Sequence, residues 1–499
     1  MDMSIIDGIT NCLTLANLFY CLIGCILGTS VGVLPGLGPA STLAILLPMT
    51  AFINPTGALI MMSGLYYGAA YGGSTTSILL NMPGEASSVA TCLDGFQMTL
   101  QGRAGQALWI SAVGSFMAGT FGAVVISFVA PLLARFAILF TPVEYFGLIL
   151  FSLTSLVSLS TGSILKSLAA VLVGMFLTSV GIDELTGTAR LNFGSTQMMR
   201  GFDLVGICVG LFGIGEVLQS LEQGVVQIYE GKLGKMMPRG KDLKNGLKGA
   251  ARGTLIGYFL GLLPGIVAPV TTFISYDVEK RMSKHPDKFG NGAIEGVAGP
   301  EAANNATVMA GFVPLMALGI PTSPAFSIIL AALMMYGLSP GPMLFEKTPL
   351  FAWTVIGSMY IGNVILLILN LPLVGLWARI SKVPYRLLAP LILGVCIVGA
   401  YSPRNAMFDI WVALAFGILG YIMRKINWPI APLILGYILG GMLETALRNS
   451  MQISFGSLAI FIERPICATF LALTLVWIIV VPWIIRRRIR LSKLEEEVL

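Results

Sequence analysis

The amino-acid sequence predicts an all-α polytopic membrane protein. It is expected to consist of two inverted repeats, each with a re-entrant helical hairpin and a broken helix, plus about nine full transmembrane spans. The 499 residues are 56% hydrophobic and only 11% charged, whereas a soluble domain carries about 25% charged residues. The mean hydropathy is +0.86, and apolar stretches of the ~20 residues that a crossing helix needs recur along the chain.

The positions of the basic residues indicate the topology. The net charge of +6 comes from short loops and the C-terminus, which points to membrane orientation and not to nucleic-acid binding. The longest polar stretch, 230–251, is rich in Lys and Arg and is therefore predicted to be cytoplasmic. The acidic pair Asp183–Glu184 then lies outside. The C-terminus is expected in the cytoplasm and the N-terminus in the periplasm.

Nine apolar stretches are predicted to cross the membrane completely. Four precede the basic linker, at about 107–130, 143–160, 165–181 and 202–222, and five follow it, at about 351–377, 387–402, 407–423, 429–447 and 466–485. The predicted division of the chain is a first repeat, a basic linker, a second repeat, and a C-terminal helix with a basic tail: 1–229, 230–251, 252–447 and 448–499.

The segment 252–277 does not fit a simple crossing, because basic residues flank it on both sides and Pro264–Gly265 lies near its middle. Proline removes a backbone donor and glycine relaxes φ, so this dipeptide breaks a helix. A hairpin that enters and leaves on the cytoplasmic side satisfies both features. Broken backbone at membrane depth persists only where it is buried in protein or lines a cavity.

The same interruption occurs in the first half, where GVLPG (32–36) corresponds to GLLPG (261–265). A second break follows each, with Leu80–Pro83 aligned to Leu318–Pro321. The proline spacings, 83 − 35 = 48 and 321 − 264 = 57, differ by one insertion of nine residues. The loop after the hairpin is charged in the second half and uncharged in the first, as an inverted repeat requires. Interrupted segments at matching positions indicate a transporter's midplane site, although Gly and Pro are also common in ordinary membrane helices.

Neutral hydrogen-bonding residues flank each break. Helix N-termini at membrane depth with hydroxyls alongside suit a carboxylate, and freed carbonyls suit Na⁺. The alternative is a Ser or Thr that bonds its own helix backbone. The candidate substrate- or ion-binding residues are Pro35, Gly36, Gly38, Ser41, Thr42, Gly73, Ser74, Thr75, Thr76, Asn81, Pro83 and Gly84 in the first half, and Pro264, Gly265, Thr271, Thr272, Asn304, Asn305, Thr307, Pro321, Thr322 and Ser323 in the second.

Two acidic residues complete the candidate set. Glu85 follows the break at Pro83, and Glu301 precedes Asn304 and Asn305. Ionisable residues near membrane depth are costly and usually functional. Their possible roles are proton carrier, Na⁺ ligand and helix cap.

The remaining motifs exclude several functions. The chain has no phosphate-binding GxxxxGK[ST] motif, no HExxH and no GxSxG, and its seven cysteines are scattered through apolar segments. We therefore expect no ATP hydrolysis, no enzyme activity, no disulfides and no metal cofactor. The expected ligands are a solute and a coupling cation, Na⁺ or H⁺. An ion channel or uncoupled pore is the alternative function.

These motifs also resemble a known family. GVLPGLGPAST (32–42), YGGSTTSILLNMPGE (71–85), QGRAGQAL (101–108) and the series from GLLPG (261–265) to LGIPTSP (318–324) are similar to the large membrane subunit, TctA, of bacterial tripartite tricarboxylate transporters. The resemblance covers essentially the whole chain. It departs at Ile266–Pro269, where the family commonly has small residues, so a different turn is expected in the second hairpin.

The resemblance implies a three-component system in the bacterial inner membrane. A periplasmic solute-binding protein would deliver the solute, and a small membrane subunit of about four helices would associate with this chain. The large subunit would carry the translocation path, driven by an ion gradient and not by ATP. The implied substrates are citrate-like di- and tricarboxylates.

Overall fold

The computed structural model describes residues 5–34, 38–137, 139–159, 163–183, 185–222, 233–380 and 385–479. Apart from one two-stranded hairpin, the regular structure in these ranges is helical. Four helices there are long and apolar enough to cross a membrane, namely Leu15–Val33, Ala104–Ala137, Pro349–Asn370 and Met407–Lys425. The predicted class, an all-α multi-pass membrane protein, is confirmed.

The elements before the basic linker are as follows. The helices are α1 (Ile5–Cys12), α2 (Leu15–Val33), α3 (Pro39–Thr50), α4 (Pro55–Leu80), a 3₁₀ turn (Ala86–Ser88), α5 (Val89–Leu100), α6 (Ala104–Ala137), α7 (Pro142–Leu159), α8 (Ile164–Thr178), α9 (Leu204–Cys208), a π-helical segment (Val209–Ile214) and α10 (Gly215–Ser220). The antiparallel strands β1 (Gly181–Ile182) and β2 (Ala189–Arg190) lie between α8 and α9.

The elements after position 233 are helices joined by short turns. They are α11 (Gly240–Gly261), α12 (Ala268–Met282), a 3₁₀ turn (Pro286–Lys288), α13 (Glu295–Leu318), α14 (Pro324–Met335), α15 (Pro342–Lys347), α16 (Pro349–Asn370), α17 (Val374–Ile380), α18 (Tyr385–Tyr401), α19 (Met407–Lys425), α20 (Ala431–Ile453), α21 (Ile460–Glu463) and α22 (Pro465–Ile479).

The described parts of the nine predicted spans fall largely on helices, although several boundaries differ, and residues 480–485 of the last predicted span lie outside the described residues. The structure extends the span predicted at 107–130 to the 34 residues of α6. The span predicted at 351–377 is divided, because α16 ends at Asn370 and α17 begins at Val374. Pro372 lies in the intervening turn and cannot donate a helical hydrogen bond. The number of full crossings stays a prediction.

The second hairpin consists of α11 and α12, and it is longer than predicted. Helix α11 begins at Gly240, inside the segment assigned to the linker, and α12 continues to Met282. Gly265 has φ +89°, a left-handed conformation that favours glycine. Pro269 lies in the first turn of α12, where its missing N–H removes no helical bond.

An ion pair joins the two arms of this hairpin. Arg252 on α11 donates from Nε to Oε1 of Glu279 on α12 at 2.7 Å, and its second nitrogen binds the other carboxylate oxygen. The Glu279 side chain is fully buried. Because the buried carboxylate of Glu279 is paired with Arg252, a charged hydrogen-bonded interaction holds the two arms together in addition to apolar contact.

In each half, the first arm of the hairpin packs backbone to backbone on the next long helix. Three glycines, four residues apart, face that helix, and a Cβ at any of them would overlap its main chain. Small residues at this spacing allow membrane helices to approach closely. The contacts are Gly24, Gly28 and Gly32 of α2 on Met61, Leu65 and Ala69 of α4, and Gly253, Gly257 and Gly261 of α11 on Gly299, Ala303 and Thr307 of α13.

The two sets of contacts share one register. The contacted positions of α4 and α13 differ by a constant offset, since 299 − 61, 303 − 65 and 307 − 69 each equal 238. The same offset relates the left-handed residues that end the two helices, Asn81 at φ 55° and Gly319 at φ 72° (319 − 81 = 238). It also relates Pro83 to Pro321. The two halves therefore place equivalent contacts and equivalent helix ends at equivalent positions.

The helices form two packing units, Met1–Ala137 with Asp203–Ile422 and Ile138–Phe202 with Met423–Leu499. These units are defined by contacts between helices. The predicted division into repeats and linker, with boundaries at 229, 251 and 447, is a different division and stays a prediction. In the second unit, a core of apolar side chains joins α7, α8 and α20. It comprises Ile149, Leu153, Val157, Val171, Leu435, Leu439 and Leu443.

Ion pairs attach the β-hairpin of this second unit to α20. Arg448 donates to Asp183 at 2.7 Å and to Glu444 at 3.2 Å, and Arg190 donates to Glu444 at 2.7 Å. The bond from Arg448, with a backbone bond from Leu185, lowers the pKa of Asp183 below its ordinary value. Asp183 therefore forms a structural ion pair with Arg448, in addition to its use as an indicator of topology.

The glycine contacts yield a stability prediction. In Gly257→Ala, the new Cβ overlaps the backbone of Ala303, and overpacking of this kind costs about 1–3 kcal/mol. We expect a lower thermal midpoint for the purified protein in detergent. Gly394→Ala in α18, where a Cβ meets open space, is the control and should have a midpoint equal to or above that of the wild type, because alanine favours a helix over glycine. Equal midpoints for both variants would show that this close approach does not stabilise the fold.

Candidate functional site

The predicted site residues of the two halves meet where α4, α5 and α13 pack together, within the first unit. The last turns of α4 contribute Gly73 to Ser77, the 3₁₀ turn contributes Glu85, and the middle of α13 contributes Glu301 to Asn305. All of α4 from Gly57 to Leu80 is buried, as is α13 from Gly296 to Ala317. A site at this position is assembled from elements on both sides of the basic linker.

Glu301 is the most deeply buried acid of this cluster, with an exposed fraction of 0%. One carboxylate oxygen accepts a hydrogen bond from Ser74 of α4, and the other accepts one from Thr91 of α5. In the part of the chain that the structure describes, no Lys or Arg forms an ion pair with it. An ionised carboxylate buried without a basic partner is costly, so a mobile cation or a proton is the natural source of compensation.

Glu85 is half-buried and forms a second contact between the two halves of the chain. It caps the 3₁₀ turn that follows α4, in a capping box with Ser88. Its carboxylate also accepts hydrogen bonds from Ser87 and, at 2.8 Å, from Nδ2 of Asn304. Helix capping was one of the three roles considered for this residue. The bond to Asn304 goes beyond a cap, because it crosses to α13.

The two asparagines of α13 are buried and incompletely bonded. Asn305 donates from Nδ2 to Ser115 of α6 at 2.7 Å and to the carbonyl of Glu301 at 3.1 Å. Among the described residues, Oδ1 of Asn304 and Oδ1 of Asn305 have no hydrogen-bond partner. A buried acceptor left unpaired costs about 1–3 kcal/mol. These two oxygens are therefore candidate contacts for an ion or solute.

The break after α13 forms a related but uncharged contact. Ser323 lies 3.1 Å from the hydroxyl of Tyr66 in the middle of α4 and also caps α14 by accepting from the amide of Phe326. By the offset of 238, Ser323 holds the position in the second half that Glu85 holds in the first. Asn304 likewise holds the position of Tyr66. The contact Tyr66–Ser323 is thus the counterpart of Glu85–Asn304, with hydroxyls replacing an acid and an amide.

Other predicted residues lie in the hairpins. Ser41 of α3 donates to Glu216 of α10 at 3.3 Å, and Thr42 bonds the carbonyl of Gly38. Thr271 of α12 lies 2.7 Å from Thr307 of α13. In the same hairpin, the hydroxyl of Thr272 donates to the carbonyl of Pro269. Thr42 and Thr272 thus bond their own helix, whereas Ser41 and Thr271 link two elements.

The remaining candidates are at the helix ends. Thr75 and Thr76 are buried at the end of α4, Asn81 and Pro83 are exposed, and Gly84 lies against the carbonyl of Gly32. Pro321 and Thr322 are buried beside Ser323. Pro264 and Gly265 form the turn of the second hairpin. Pro35 and Gly36 lie outside the described residues.

Sequence reasoning missed two residues of α5, Thr91 and Asp94. Oδ1 of the buried Asp94 accepts backbone amides from Gly290 at 2.9 Å and from Gly292 and Ala293, both at 2.8 Å. Oδ2 accepts the hydroxyl of Tyr276 at 2.9 Å. Asp94 therefore fixes the start of α13 to α5. The available signal was one acid on an otherwise uncharged helix, three residues after a threonine.

Interrupted helices that converge on buried acids, amides and hydroxyls are typical of membrane transporters. The chain belongs to the Tripartite tricarboxylate transporter TctA family, whose model matches residues 18–435. This confirms the resemblance that the motifs indicated. No solved structure matches the chain.

Two relatives from Agrobacterium vitis are similar to the chain. One is described as an uncharacterized 52.8 kDa protein in the TAR-I ttuC' 3' region. It is 44% identical over 479 residues, which cover 95% of this chain and 94% of the relative. The other, an uncharacterized protein in the TAR-II ttuC' 3' region, is 47% identical over 223 residues, 45% of this chain and 92% of the relative.

The contacts of Asp94 predict a local change in dynamics. Asp94→Ala leaves three backbone amides of Gly290–Ala293 without their acceptor, so we expect faster hydrogen exchange in a peptide that covers these residues. Asp277→Ala is the matched control, because Asp277 forms an exposed pair within its own helix, with Arg281. Unchanged exchange in Asp94→Ala would contradict the assigned role.

Proposed function

We propose that the chain is the large, translocating subunit of a secondary transporter that imports citrate-like di- or tricarboxylates, coupled to a cation gradient. The observation that carries this proposal is the contact of Ser74 with Glu301 and of Glu85 with Asn304. These pairs bring the break that ends α4 against the middle of α13, at a buried position rich in neutral donors.

An inverted relation between the two repeats is part of the proposal. Along the contact between α4 and α13, Ser74 meets Glu301, and Tyr66 meets Ser323 just beyond the end of α13. Glu85, just beyond the end of α4, likewise contacts Asn304 within α13, and this reciprocal contact of each helix end with the other helix supports an antiparallel course of α4 and α13. A two-fold axis that relates antiparallel membrane helices lies in the membrane plane, which is the arrangement of inverted-topology repeats.

The carboxylate is proposed to bind at the N-terminus of α14. This helix begins at a buried position beside Tyr66, and Ser323 is its cap. The free N–H groups and partial positive charge of a helix start favour an anion without a buried Lys or Arg. The acids Glu85 and Glu301 belong to the contacts with Asn304 and Ser74, and their carboxylates suit a cation.

The family description supports the proposed partners and location. A tripartite transporter implies a periplasmic solute-binding protein and a small membrane subunit of about four helices beside this chain. The bacterial inner membrane is the location that such a system requires. The basic linker 230–251 and the basic tail favour a cytoplasmic C-terminus and a periplasmic N-terminus.

The proposed mechanism is alternating access, in which the hairpins and broken helices move relative to the remaining spans in an elevator-like stroke. An ion channel or uncoupled pore is the alternative, because glycine-rich helices are also found in pores. Substrate counterflow in proteoliposomes distinguishes the two, since a channel does not exchange labelled solute against unlabelled solute. Lack of counterflow in the complete three-component system would support the channel.

The site assignment is tested by uptake. Alanine at Ser74–Thr76 or at Asn304–Asn305 removes hydroxyl and amide contacts from the site, so we expect loss of labelled citrate uptake in cells that express all three components. Membrane levels of the variants should stay near wild type. Ser152→Ala in α7 is the matched control, because this buried hydroxyl bonds only its own helix, at Leu148. Normal uptake in the site variants would contradict the assignment.

A further inference from the structure

The acid at the centre of the site has a ligand set suited to a metal ion of low charge. Glu301 has a hydroxyl on each carboxylate oxygen, and the two hydroxyls come from different helices, α4 and α5. Ser74 is 3% exposed and Thr91 0% exposed. The site therefore offers up to four oxygens from three helices in a region closed to bulk water.

A second, independent observation points to a missing partner. Asn305 lies one turn beyond Glu301 on the same face of α13, and its Nδ2 donates to the Glu301 carbonyl. Its Oδ1 is buried without a donor among the described residues. The side chain is 1% exposed, so bulk water does not satisfy this oxygen. A bound cation is one partner that can satisfy such an oxygen.

The other half of the fold lacks this ligand set. The offset of 238 that relates α4 to α13 places Ser63 at the position of Glu301 and Phe312 at the position of Ser74. A serine and a phenylalanine supply no charge and one hydroxyl. Among the described residues, the positions in the other half that correspond to Glu301 and Ser74 therefore carry no acid.

We propose that Glu301, Ser74 and Thr91, with the amide oxygen of Asn305, bind the Na⁺ ion that accompanies the solute. This inference rests on the proposed transport function and deepens it by naming the ion and its ligands. Hard cations select carboxylate, hydroxyl and carbonyl oxygens. A single proton satisfies one carboxylate oxygen and leaves the Asn305 oxygen unpaired, whereas Na⁺ binds several oxygens at once.

The same contacts connect the buried acid to a more exposed one. Glu85 is half-buried beside the exposed Asn81 and Pro83, and its carboxylate contacts Asn304, which is one turn from Glu301 on α13. In the proposal, Glu85 is the first acid that an entering cation meets, and Glu301 is the buried one.

The test is Na⁺-dependent thermal stability of the purified full-length chain, measured against K⁺ and choline at constant ionic strength. A ligand that binds the folded state raises the thermal midpoint. We expect Na⁺, but not K⁺ or choline, to raise the midpoint of the wild type. Glu301→Gln should abolish the response. Ser74→Ala and Thr91→Ala should raise the half-maximal Na⁺ concentration about tenfold or more.

Two further variants make the result specific. Thr91→Ser keeps the hydroxyl and should restore the Na⁺ response that Thr91→Ala weakens. Ser152→Ala, in the second unit, should respond as the wild type does. Because Glu301→Gln can also impair folding, the comparison of Thr91→Ala with Thr91→Ser decides the question if that variant cannot be purified.

Several outcomes overturn the proposal. These are a wild-type response that is equal for Na⁺ and K⁺, a wild-type response retained in Glu301→Gln or Thr91→Ala, and a midpoint that follows pH but not Na⁺. The last result would assign a proton to Glu301. Na⁺ binding through Glu301 without carboxylate uptake in the complete system would refute the proposed function alone, and uptake without any Na⁺ response would refute this inference alone.

Discussion

The backbone contact between each hairpin arm and the next long helix is the constraint on which the rest of the structure depends. An interrupted helix exposes N–H and C=O groups that hydrocarbon cannot satisfy. The glycines of α2 and α11 allow their helices to lie directly on α4 and α13, so Gly32 and Gly261, the last of these glycines before each Leu-Pro-Gly motif, are covered by protein. Because both arms use the same spacing and register, the two breaks that follow α4 and α13 are brought to equivalent positions.

The site follows from this placement. The segment after α4 contacts the interior of α13, and the segment after α13 contacts the interior of α4. One meeting point carries Glu85 and Asn304, and its counterpart carries Ser323 and Tyr66. The architecture is repeated while the chemistry is not. A charged half and a neutral half, side by side, suit a cation and a carboxylate that cross together.

The sequence predicted the class, the family, and most of the residues that the structure brings together where α4, α5 and α13 meet. Hydropathy, loop charges and the Leu-Pro-Gly motifs are local signals, and they were sufficient for these features. The glycine spacing was also present in the sequence, but its meaning depends on which helix lies opposite. The register of 238 between α4 and α13 became evident only when the contacted backbone atoms were known.

The residues that sequence reasoning missed act across helices. Thr91 and Asp94 carry no motif, and their roles depend on Glu301 and on the amides of Gly290–Ala293, about 200 positions away. Conversely, Thr42 and Thr272 matched the predicted pattern but bond their own helix. The residue types around a break therefore predicted the region of the site, but they could not predict which side chains contact one another there.

Solute and cation are proposed to cross together at the contact between α4 and α13. The most direct measurement is labelled carboxylate accumulation in proteoliposomes that contain the complete three-component system, under an imposed cation gradient, for the wild type and Glu301→Gln. We expect accumulation above the external concentration only in the wild type and only with the gradient. Equal, gradient-driven accumulation in both proteins would contradict this proposal.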